Sequence, residues 1–117
     1  MQYMLLIMEP AAQRRERGDA AGRQLHERML RFGDALRSRG VLVSSQSLRS
    51  DEAATRVTVR DGKSTLIDGP FAEAKELVGG FFLLDCETRE QAIAVARECP
   101  AAEWATVEVR EFGPCYT

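Results

Sequence analysis

The chain has 117 residues, 44% apolar and 29% charged, with 16 basic against 18 acidic side chains for a formal net charge of −2. That length and balance suit one globular domain with a modest core. They exclude a generally basic surface of the kind that neutralises nucleic-acid phosphates.

Tyr3 to Met8 is a continuous apolar run ended by Glu9-Pro10, the pattern of a central strand covered on at least one face. It is too short for a membrane span and has no basic leader, so a cytoplasmic protein without membrane contact is expected. Residues 10–18, rich in Ala, Gln and Arg, fit either a loop or a loose helical turn. The basic run Arg14, Arg15, Arg17, Arg23 is interrupted by Glu16 and Asp19 and reads as a solvated face. From Asp19 to Arg39 the period changes. Leu25, Met29, Phe32 and Leu36 form one stripe of an amphipathic helix, supported by Glu27–Arg31 and Asp34–Arg37 pairs and ended by Gly40.

A second strand opens at Val41-Leu42-Val43 and fades through Ser44 to Leu48. Thr55 to Arg60 then alternates with a period of two, and Asp61-Gly62 supplies the turn of a hairpin whose return strand is Ser64 to Asp68. After Gly79-Gly80 comes another apolar strand, Phe81 to Asp85. Thr88-Arg89-Glu90-Gln91 has the form of a capping box, with Gln91 reaching back to Thr88. Ala92, Val95, Ala96 and Cys99 line the buried side of a short helix that Pro100 ends. Trp104 to Phe112 alternates as a half-exposed final strand. Met4, Met8 and Met29 read as core filler, and Trp104 and Phe112 as residues that wall a cavity or, the preferred reading, pack at an interface between subunits.

The order is β-α-β, an inserted hairpin, then β-α-β. This predicts an α+β, ferredoxin-like βαββαβ layer with both helices on one face of an antiparallel sheet. A second copy covering the open face makes a homodimer. Cys86, Cys99 and Cys115 are irregularly spaced, with no CxxC or Cys/His cluster. Neither a metal site, a cofactor nor a disulfide framework is expected.

Asp68-Gly69-Pro70-Phe71-Ala72-Glu73-Ala74-Lys75-Glu76, followed by Gly79-Gly80-Phe81-Phe82, resembles the signature of DGPF-type proteins of the YCII-related family. Tyr3-Met4-Leu5-Leu6-Ile7, Arg60-Asp61-Gly62-Lys63 and Val107-Glu108-Val109-Arg110 fit the same pattern in order, so the likeness spans nearly the whole chain. The resemblance implies a ferredoxin-like fold assembled as a dimeric α/β barrel. It also implies two kinds of company. Some DGPF genes lie beside genes for extracytoplasmic-function sigma factors. Some YCII relatives resemble small enzymes, such as muconolactone dehalogenases with a His/Asp pair in the cavity. Two positions depart from the family pattern. Ala74 stands where a threonine usually precedes the motif lysine. Met29 stands where the YCII branch carries a histidine, and the only histidine, His26, lies about one turn earlier.

The motif has two readings. Structurally, Asp68 bonds backbone N–H groups two residues on, Gly69 and Pro70 shape the turn, and Phe71 anchors the loop. Functionally, Asp68 or Glu73 is a candidate general base, Lys75 an anion anchor, and Gly69, Pro70 and Phe71 binding residues; His26 is a further catalytic candidate. Three functions follow: a small-molecule-binding or regulatory domain; a cofactor-free acid–base enzyme of lyase, isomerase or dehalogenase type; and a protein-interaction partner, for instance of a sigma factor.

Overall fold

The computed structural model describes residues 1–117. Strand β1 (Gln2–Pro10) leads through a five-residue helix α1 (Gln13–Arg17) into the long α2 (Asp19–Ser38). Strands β2 (Leu42–Ser47), β3 (Thr55–Arg60), β4 (Lys63–Asp68) and β5 (Glu76–Asp85) follow, with a 3-10 turn at Asp51–Ala53 between β2 and β3. The chain closes with α3 (Arg89–Glu98), a second 3-10 turn and β6 (Thr106–Glu111). The stretch 10–18 is therefore strand end, turn and short helix. The final strand starts two residues later than its alternation suggests, because Trp104 caps the second 3-10 turn.

Four strands form one antiparallel sheet in the order β2-β5-β1-β6, which is consistent with a ferredoxin-like α+β fold. Alternation along β1 sends Tyr3, Leu5 and Ile7 to the helix side, where all three are buried; Met4, Leu6 and Met8 face the other way. Phe82 and Leu84 of β5 join the same side, and Phe32 and Leu36 of α2 with Ala92, Val95 and Ala96 of α3 close the core over them. Phe32 meets Phe82 edge to face, with ring centroids 5.2 Å apart. Thus both helices cover one face of the sheet, and Met4, Leu6, Phe81 and Leu83 lie half-buried on the other.

Gly79 and Gly80 lie inside β5 rather than ahead of it. The β1–β5 register shifts between Ile7 and Met8, opposite this pair. A Cβ on Gly80 would come 2.8 Å from the Gln46 carbonyl oxygen, so β2 packs against bare backbone there.

The Asp61-Gly62 hairpin forms as its sequence requires. Both turn residues take positive φ, 52° and 75°, matching the right-handed twist of the flanking strands. The ribbon pairs Thr55 with Asp68 and Arg60 with Lys63 and forms no ladder with the main sheet. Its apolar side chains stay outside the core: Val57, Val59 and Leu66 are 60%, 59% and 66% exposed.

Thr88 caps α3 by accepting a bond from Gln91 N–H at 3.2 Å. The Gln91 side chain reaches one residue past the cap, accepting from the N–H of Glu87 at 2.8 Å, a variant of the capping box. Asp34–Arg37 closes at 3.1 Å, whereas Glu27–Arg31 does not, and the neighbouring Arg28 pairs instead with Glu103. Cys86 and Cys99 are buried free thiols and Cys115 is exposed. No helix is long and apolar enough to cross a membrane.

Candidate functional site

The segment around Asp68–Lys75 joins the ribbon to the main sheet, and its geometry is set by residues far away in sequence. Asp68 sits opposite Thr55 at the open end of the ribbon and accepts that hydroxyl's bond at 2.8 Å, not a backbone N–H two residues on as its turn chemistry suggests. The backbone role belongs to Asp51. Its Oδ2 accepts the N–H of Phe71 at 2.9 Å. Gly69 N–H donates to the Ala54 carbonyl at 2.8 Å. A Cβ at position 69 would overlap the Asp51 carbonyl oxygen, so only glycine fits there. The Gly69–Pro70 peptide is cis.

Phe71 is 6% exposed but stands apart from the main core. Arg56 lies over its ring, with the guanidinium carbon 3.7 Å from the centroid, a cation–π contact that also shields the ring from water. The same guanidinium reaches Glu73 at 3.4 Å in an exposed pair. The carbonyl of Lys75 accepts the N–H of Ala11, which ties the loop to the end of β1.

Beside Phe71 lies a cavity of about 520 Å³. Leu77, Val78 and Phe71 supply apolar walls, and the stretch Leu48–Ala54 with Arg56 closes the other side. Asp68, Glu73 and Lys75 do not line it. Of the motif residues proposed to bind, only Phe71 does.

A wider groove of about 1050 Å³ runs between α2 and the β2–β5 edge, and His26 and Asp34 are on it with Met29 and Trp104. His26 forms no ion pair with any acid, and it does not share the cavity beside the motif loop. Two cations approach the Trp104 ring, with Arg28 at 5.4 Å and Arg17 at 6.0 Å from its centroid, both within cation–π reach. Its carbonyl accepts from the Gln13 side chain at 2.7 Å.

Arg14 is shared by cavity and groove. Its charge does not belong to a solvated run. It grips Glu9 through two bonds of 2.8 and 2.9 Å, and donates to the Leu48 carbonyl at 2.6 Å and the Gly79 carbonyl at 3.0 Å. One guanidinium thereby fastens β1, β5 and the end of β2. The Glu9 carboxylate occupies the space above Gly79, where any Cβ would collide with its Oε1. Sequence reading missed both Arg14 and Asp51. Asp51 follows Arg49-Ser50, and nothing local marks it as the acceptor for an N–H 20 residues on.

Burial pushes the Cys86 and Cys99 thiols above their ordinary range, with Asp85 adding to the effect at Cys86. The Tyr3 hydroxyl is raised too, through burial first and then Glu111 and Glu90. None of these three lies on the cavity or the groove.

Comparison with known proteins agrees with the motif. An uncharacterised protein of Rhizobium meliloti (strain 1021) is similar to this chain, 39% identical over 54 residues, which is 46% of the chain and 44% of that protein's length. The aligned part thus spans less than half of the relative. A family model, the YCII-related domain, matches residues 1–114. With the motif loop, the paired glycines of β5 and the antiparallel sheet all inside that match, the chain belongs to the YCII-related family.

Proposed function

We propose that this chain is a small-molecule-binding domain whose site is the cavity beside Phe71, and that it works as a homodimer. The observation that carries the reading is the cavity itself, about 520 Å³ with apolar walls and a charged rim, within the range of ligand pockets. Its wall is rigid for reasons that the core does not demand. Asp51 holds Phe71, Gly69 packs against the Asp51 backbone, and Arg56 covers the ring. Gly69 and Pro70 act here by shaping the loop and Phe71 by contact, while Asp68 and Glu73 engage Thr55 and Arg56 of the ribbon and the Lys75 carbonyl ties the loop to β1. A loop fixed to a scaffold is where binding residues commonly sit. Proton-transfer chemistry has less support, since His26 is not paired with a carboxylate and Asp68 is engaged by Thr55.

A thermal-shift screen of the whole chain against a metabolite library tests the site. At least one compound should raise the melting temperature, and Val78→Trp should abolish that shift. Val78 is 40% exposed, so the larger side chain fills the cavity without straining the core. A library without a stabilising compound, or a shift that survives Val78→Trp, removes the cavity from consideration.

The homodimer reading rests on the open sheet face. Met4, Leu6, Phe81 and Leu83 make it apolar, and a second copy of the same sheet covers it in the manner of a dimeric α/β barrel. A sigma factor or another protein is the competing occupant of that face.

A further inference from the structure

The fold engages the charges around the cavity beside Phe71 unequally. Four arginines and three carboxylates line it, and Glu73, outside the lining, pairs with Arg56. They are not equivalent. Arg14 is consumed by Glu9 and two carbonyl oxygens, and Arg56 lies over Phe71 and pairs with Glu73. Asp51 gives one oxygen to the Phe71 N–H. Arg15 and Arg49, by contrast, form no ion pair within the chain. Both are exposed, and neither belongs to the core.

Two permanently charged, planar donors that the fold does not use therefore stand on the rim of an apolar cavity. A guanidinium matches a carboxylate with two parallel bonds, and such charge-assisted bonds are about twice as strong as neutral ones. We propose that this cavity takes a small organic monoanion, a carboxylic acid with an apolar or aromatic body, with Arg15 and Arg49 holding the carboxylate and Leu77, Val78 and Phe71 receiving the body. The inference rests on the reading of this cavity as a binding site and adds the class of ligand. A single negative charge follows from the acids that stand beside these two arginines. Asp51 and Glu52 stand on the same rim and oppose the second charge of a phosphate ester.

The test is calorimetric titration of the full chain with three compounds sharing one ring: phenylacetate, phenylacetamide and phenyl phosphate. Phenylacetate should bind, the neutral amide about tenfold more weakly, and the phosphate no more tightly than the carboxylate. Added salt should weaken the carboxylate and not the amide. Arg15→Gln and Arg49→Gln, which keep most of the side-chain stem, should each weaken phenylacetate about tenfold and leave the amide unchanged. Equal affinities for acid and amide, or arginine variants that bind as the parent does, overturn the anion assignment while the cavity reading survives. Tighter binding of the phosphate overturns the monoanion. If none of the three binds, this inference falls, and a silent metabolite screen alongside takes the underlying reading with it.

Discussion

At the scale of single residues, Arg14 is the side chain whose loss the fold should feel most outside the core. Its partner Glu9 retains only 12% of its side-chain exposure, so removing the guanidinium strands a largely desolvated carboxylate. Arg14→Ala should cost about 2–4 kcal/mol in urea unfolding, less than the roughly 3–5 kcal/mol for breaking a fully buried pair because the guanidinium keeps 35% of its exposure. Arg14→Lys should recover only part of this. A single ammonium cannot grip both carboxylate oxygens and two carbonyls from three strands in that geometry. If the lysine variant matches the parent, Arg14 serves merely as a positive charge near Glu9. Arg15, one position away, shows that adjacent arginines can take unrelated roles. Arg14 is a structural brace, whereas Arg15 forms no ion pair within the chain.

At the scale of elements, what could be read from the sequence was what local chemistry decides. The α2 stripe through Phe32 and Leu36, the Asp61-Gly62 turn and the Thr88 cap each depend on residues within a few positions of one another. The structure has all three. The contacts that shape the cavity are of another kind. Arg14 reaches Gly79 across 65 positions and Phe71 reaches Asp51 across 20; no periodicity encodes either. The motif loop was visible as a family resemblance, but which acid held which backbone group was not, and Asp51 took the place foreseen for Asp68. The buried thiols at the end of β5 and the C-terminus of α3 make a prediction for these elements. Cys86 and Cys99 have folded pKa values raised from 9.0, and Tyr3 from 10.0. The unfolded chain therefore loses these protons first as pH rises. Their contribution to stability is complete below the ordinary thiol value and declines as pH climbs from there through the raised folded values. Urea midpoints should be flat through neutral pH and fall in alkali. In the native protein a thiol reagent should modify exposed Cys115 well before the two buried cysteines, and simultaneous labelling of all three would contradict this order.

At the scale of the whole molecule, the chain is thin for its length. Its extents are 46 × 41 × 19 Å and its radius of gyration is 15.9 Å, against about 13 Å for a compact chain of this size. Only 17 of 117 residues are buried, so one sheet and one helix layer leave much apolar surface for another body to cover. Sedimentation at micromolar concentration should give twice the monomer mass, and Leu6→Glu on the open sheet face should return the monomer with its helices intact by circular dichroism. A parent chain that sediments as a stable monomer would refute the dimer without touching the cavity. The ribbon of β3 and β4 adds to the thinness and carries a difficulty of its own. With its apolar side chains exposed, its hydrophobic pattern cannot select one alignment of the two strands over the next. The two-residue Asp61-Gly62 turn sets it at one end, and the close approach at Gly69 holds it at the other. Sliding β4 by a single residue would bring Asp68 or Pro70, each bearing a Cβ, against the Asp51 carbonyl oxygen that now lies where a Cβ on Gly69 would be. The missing side chain at position 69 is thus an index mark, locking the far end of a hairpin whose near end the turn has already aligned.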